Sequence, residues 1–181
     1  MRNKIIIFSS IIIIALISIF GIYKYNDVQD KKKEEEYVQK LKTINLAISL
    51  QTFEIKDMCK IYSEQWQSII NGGILINNKG QRVTDFNEAI EIQKLDFKTR
   101  GRIDKIASGK ENIDKLMKDI NNAPEKYKDT YEIVLDLYGS YTEFEALAES
   151  PQGSLVSFNQ KIRDLSNEID KKINQINTKI P

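Results

Sequence analysis

The sequence predicts an all-α protein: an N-terminal transmembrane helix followed by an antiparallel four-helix bundle, with a short β-hairpin between bundle helices 1 and 2. Three observations lead there. An uncharged apolar run, Ile5 to Tyr23, stands near the amino end. Most of the remainder repeats apolar residues three and four apart, the period of a helix with one face on a core. Only three prolines and eight glycines interrupt 181 residues, so helical stretches can be long.

The apolar run decides the address. As a helix rising about 1.5 Å per residue it is roughly 28 Å long, close to a hydrocarbon core about 30 Å thick. Arg2 and Lys4 precede it and Lys24 ends it. The alternative is a cleaved signal and a secreted protein. Such signals have apolar regions of about 7 to 15 residues followed by a small-x-small step, and none lies between Ala15 and Tyr25. The expected order is a tail at 1–4, an anchor at 5–23, a stalk at 24–36 and a helical domain at 37–181. A cell-membrane protein with its N-terminus inside and its body extracytoplasmic is the ordinary outcome for a long body behind a first apolar segment.

The stalk follows from charge. From Asp27 to Glu36 opposite charges fall three and four apart, each pair worth about 0.2 to 0.5 kcal/mol, enough for a solvated helix but not a packed one.

Bundle helix 1 begins at Tyr37, with Leu41, Ile44, Ile48, Ile55, Met58, Cys59 and Tyr62 on one stripe. Leu46, Leu50, Phe53, Ile61 and Trp66 widen it, which predicts a central member covered on more than one side. Asn71-Gly72-Gly73 ends it, glycine being free to adopt positive φ past a helix end. Ile74 to Ile76 and Gln81 to Val83 then read as the arms of a hairpin around Asn77-Asn78-Lys79-Gly80. Ile74 and Ile76 are expected to pack on the bundle end. Thr84 is the expected cap of helix 2, which runs as one helix through Ile120, its stripe drifting near Thr99 and Gly101, with a kink or break at Gly109 as the alternative. Asn121 to Pro124 make a turn into helix 3, and Ser150 to Ser154 separate it from helix 4. Helix 4 has the cleanest spacing of all: Leu155, Phe158, Ile162, Leu165, Ile169, Ile173, Ile176 and Ile180.

Composition excludes several function classes. Without Arg2 and Lys4 the chain has 27 − 2 = 25 basic and 26 acidic residues, net −1, and the signs are interspersed. Nucleic acid, which needs a concentrated basic footprint, is not an expected partner. The chain has no histidine and one cysteine, which removes the commonest general base and the usual transition-metal ligands. No catalytic residue, cofactor or metal is expected, and the protein is read as not an enzyme. Acidic pairs such as Glu54 with Asp57 and Glu88 with Glu91 read as solvated faces. Cys59, on the core stripe, reads as a buried small hydrophobe, with an intermolecular disulfide as the alternative.

What remains is binding. The predicted function is a non-enzymatic envelope protein presenting a helical domain for protein–protein interaction or self-association. Its tip residues Asn77, Asn78, Lys79 and Arg82 would supply polar contacts to a protein partner. The alternative is a ligand-binding or sensory module using the aromatic face of helix 3, with Tyr127, Tyr131, Tyr138 and Tyr141 lining a groove for a small molecule. That groove competes with ordinary packing, since tyrosine commonly buries its ring and leaves its hydroxyl wet.

Overall fold

The structure is a computed structural model that describes, side chains included, residues 29–77 and 79–181. The expected anchor, Ile5 to Tyr23, and the tip residue Asn78 lie outside them. Among the described residues no helix is long and apolar enough to cross a membrane. The chain is mostly helical, 81%, with five helices and a two-stranded sheet. In order these are α1 (Arg2–Ile70), β1 (Leu75–Ile76), β2 (Arg82–Val83), α2 (Phe86–Thr99), α3 (Arg102–Lys118), a 3₁₀ turn at Glu125–Tyr127, α4 (Lys128–Glu149) and α5 (Leu155–Lys179).

Two compact units divide the chain, residues 1–39 and 40–181. In the first, Lys33 lies 3.6 Å from Asp30 with both side chains more than two-thirds exposed, the solvated i,i+3 pairing the charge pattern predicts.

The second unit is built by helices meeting in opposite senses. Trp66, near the end of α1, lies against Phe158 at the start of α5, while Asn45 donates to Ile173 O and Asn177 Oδ1 near the end of α5. Trp66 also stacks on Phe86, which opens α2, and Tyr62 meets Phe97 edge-on. Further along, Arg102 reaches Glu54, and Lys40 donates to the Asp119 carbonyl. α2 and α3 thus descend along α1 one after the other. Tyr138 on α4 bonds to Asp114 on α3, and Lys172 on α5 lies 3.5 Å from Asp136 on α4. The core between them holds Ile44, Ile48, Ile55, Ile113, Phe144 and Ile169, all fully buried.

Three helix ends have a visible local cause. α1 closes in a full Schellman arrangement: Gly72 adopts φ 76°, its N–H donates to Ile69 O, and the Gly73 N–H donates to Ser68 O. Ser154 and Ser157 cap α5 reciprocally, each side chain accepting from the other's backbone N–H. α2 is capped by Asp85, whose carboxylate accepts from the Glu88 N–H at 2.9 Å, and not by Thr84 as expected. Both residues suit a cap; the chain leaves β2 at Val83 and stays extended through Asp85, which therefore holds the last non-helical position.

The expected single second helix is two, and the break falls at Gly101 rather than Gly109. Gly101 sits at φ 70°, donates to Lys98 O to finish α2, and its own carbonyl accepts from Lys105 to begin α3. Gly109 lies inside α3, where a Cβ would run into the side-chain amide of Gln51 on α1. Its missing side chain serves close helix packing, not a turn.

A second correction concerns α1. Leu46, Leu50 and Phe53, expected to be covered, are 61%, 64% and 76% exposed. They lie opposite the core stripe, so the unit uses one apolar face of α1 and leaves the other in solvent.

Candidate functional site

The hairpin registers Leu75 opposite Val83 and Ile76 opposite Arg82, so its arms are one residue shorter than expected. Side chains alternate across a strand, and here Val83 takes the inner face at 1% exposure. That sends Ile74 and Ile76 outward, at 74% and 51% exposure, instead of onto the end of the unit. Ile70, in the last turn of α1, is 61% exposed beside them in sequence.

The polar tip residues are placed differently from one another. Asn77 is turned inward on its own loop: its Oδ1 accepts from the N–H groups of Lys79 and Gln81, and its Nδ2 donates to Glu88 Oε1 at 2.8 Å. It is the organiser of the turn and ties it to α2. Arg82 is exposed, but its guanidinium donates to the Gly72 carbonyl at 3.0 Å, fastening β2 to the end of α1. Lys79 is exposed at the tip. Asn78 lies outside the described residues. The hairpin is therefore tied to the ends of α1 and α2, and it exposes two aliphatic side chains, Ile74 and Ile76, along with Lys79, Gln81 and Arg82.

Among the described clefts none is lined by all four tyrosines. Tyr127 and Tyr141 are buried, Tyr131 and Tyr138 half-buried. Tyr138 borders a cleft of about 390 Å³ shared with Asp114, Met117, Lys118, Asn121 and Leu135. Its hydroxyl donates to Asp114 at 2.6 Å, and Lys110 bonds the other carboxylate oxygen at 2.9 Å. The Tyr138 bond, with Lys110 beside it, holds Asp114 below the usual carboxylate range and pushes Tyr138 up. Tyr141 buries its hydroxyl without a partner, as does Tyr62 on α1.

Glu145, which the helical pattern of α4 did not single out, is the one strongly perturbed carboxyl described. It is 6% exposed, and burial first, then the like charge of Glu149 one turn on, push it up to about 7; Lys110 opposes and Asp114 adds to the rise. A carboxyl so placed is suited to proton exchange near neutrality, but it does not border the Tyr138 cleft. Between α1 and α3, Glu54 bonds Arg102 at 2.6 Å and Lys105 at 2.9 Å, and Arg102 also bonds Asp57 at 2.8 Å. Burial raises the Glu54 pKa, but the two cations outweigh it and leave it lowered. The pair expected to be a solvated face is thus a helix-to-helix clasp. Cys59 is fully buried and burial pushes its thiol up to about 12, so it is inert in the folded unit. Among the described residues no group of three His, Cys, Asp or Glu is placed to hold a metal ion.

No family model matches the chain, and no curated protein and no solved structure matches it.

Proposed function

We propose that this is a single-pass, membrane-anchored envelope protein whose helical unit, an antiparallel four-helix bundle with α2 and α3 together as its second member, works by binding protein. The anchor rests on the length and purity of the Ile5 to Tyr23 run. The binding role rests on one observation: a hairpin fastened by Asn77 and Arg82 holds Ile74 and Ile76 in solvent beside Lys79. A fixed surface loses little conformational entropy when it docks, and aliphatic side chains that cover no core of their own are suited to being covered by another molecule. The tip contact then joins the aliphatic Ile74 and Ile76 to Lys79 and Arg82, two of the four polar residues the sequence nominated, while Asn77 is engaged in its own turn.

Two measurements test this. Intact mass of the native protein, together with flotation on liposomes after an alkaline wash, tests the anchor; a mass beginning near Tyr23 moves the protein to the secreted class. The double variant Ile74→Ser with Ile76→Ser should melt within a few degrees of wild type while losing proteins cross-linked to the tip in native membranes. Unchanged cross-linking would remove the tip from the interaction surface.

A further inference from the structure

Over its described residues α1 has two apolar faces, one buried in the core and the other exposed. Written as a heptad with Leu46 and Phe53 at d and Leu50 at a, the core residues Ile44, Ile48, Thr52, Ile55, Met58 and Tyr62 all fall at b, c and f. The a and d positions are the opposite face, and their three large side chains are 61%, 64% and 76% exposed. This is the spacing of a coiled-coil seam laid on the back of a core helix.

We propose that this seam is filled by the same face of a second copy of the chain, in a parallel two-fold pair. Charge favours a copy over a charged partner. Past the apolar centre, Asp57 at the next a position is bonded by Arg102 at 2.8 Å, and Lys60 at the next d position lies 3.6 Å from Glu64. The seam can therefore face itself without setting unneutralised charges together. The flanking g-to-e′ neighbours of a parallel pair would be Lys42 with Ala47, Ser49 with Glu54 and Lys56 with Ile61, none of them a like-charge pair. Area points the same way. Three side chains and their flanks fall well short of the about 800 Å² per partner that a stable complex from free solution buries. So small a patch is useful only to a partner already held nearby, where tethering supplies effective concentrations on the order of millimolar. A parallel pair runs both chains in the same sense, as two copies inserted alike in one membrane require. The inference rests on the anchored reading above but uses a different surface from the hairpin tip.

The test uses the full chain reconstituted in phosphatidylcholine vesicles at low protein density. Leu46→Cys and Leu50→Cys are made singly, and Leu95→Cys serves as a control on the exposed side of α2. The wild-type chain, whose only thiol is buried, is the blank. Mild oxidation should give covalent dimers at positions 46 and 50 at least tenfold faster than at 95. Adding Phe53→Lys should cut the rate at position 50 at least tenfold with the melting temperature unchanged. Equal rates at 46, 50 and 95 overturn the pairing. So does an antiparallel pattern, in which the Leu46→Cys chain links to a copy bearing Phe53→Cys faster than to another Leu46→Cys chain. Flotation of the same vesicles separates the failures: a chain that floats without cross-linking rejects this seam alone, and one that does not float rejects the anchor and with it the tether the seam needs.

Discussion

Helices α1 and α5 both place apolar residues three and four apart, and they dispose of them differently. In α5 the repeat forms one stripe: Phe158, Ile169 and Ile176 are fully buried and Leu165 is 6% exposed. In α1 a stripe of the same quality is buried, and a second row, Leu46, Leu50 and Phe53, stands in solvent on the other side. Burial is proportional to apolar area removed from water, so the two rows of α1 are equivalent in what they could contribute. What differs is whether the chain supplies a cover. The period of a sequence says that a face will be buried; it does not say by which molecule.

Substitutions on the two helices should separate the rows most sharply. Ile169→Asp in α5 sets a carboxylate without a partner in a fully buried position and should cost on the order of 3 to 5 kcal/mol, comparable with the whole stability of a small domain. Thermal melts followed by circular dichroism should find the unit unfolded or nearly so. A melt within a few degrees of wild type would mean that α5 is not the covered helix described here.

Next in size is a pH effect centred on the contact between α3 and α4. Glu145 is raised in the folded unit, so its contribution is greatest below its unfolded pKa of 4.5 and is lost as pH rises through about 7. Stability should fall by on the order of 1 to 3 kcal/mol between pH 4.5 and 7.5. Glu145→Gln should flatten that slope. Urea titrations of both proteins across the window check it, and parallel curves would show that Glu145 stays charged when folded.

A smaller effect belongs to the inner row of α1. Gly109→Ala should destabilise while Gln51 is present, because the new Cβ meets its amide. In a Gln51→Ala background the same change should stabilise by up to about 1 kcal/mol, the ordinary helix preference of alanine over glycine. The four-member cycle reads this reversal of sign directly. Smallest of all, Leu50→Ser and Phe53→Ser on the outer row should move stability by less than about 0.5 kcal/mol, since both side chains are mostly in solvent. A loss several times larger would mean that this face is already covered within one chain.

How far the sequence reached can be judged from particular elements. The helical stripes, the glycine stop of α1 and the serine start of α5 were legible because each rests on local chemistry that tertiary structure did not override. The split at Gly101 was not, because two glycines eight residues apart look alike until one of them is found against Gln51 on another helix. The outward pair Ile74 and Ile76 was missed for a similar reason: a two-residue ladder fixes which face is inner, and a one-residue change of phase exchanges the faces. Asn77 looked available because its type and place suit a contact, yet the same acceptor and donors close its own turn. Glu145 gave no signal, since a glutamate beside Phe144 and Leu147 on a helix is expected to reach solvent.

The buried thiol of Cys59 has a consequence for how long a molecule lasts rather than how stable it is. It is the chain's only cysteine, fully enclosed on the used face of α1, and deprotonates only far above neutrality while enclosed. Oxidants and alkylating reagents can therefore reach it only when α1 lifts from its neighbours, and each opening carries some chance of a permanent mark. The cysteine is a clock that runs only in the open state. Its modification rate in excess maleimide should equal the opening rate of that core and become proportional to the population of open molecules when reagent is dilute, so one residue reports both the speed and the extent of unfolding.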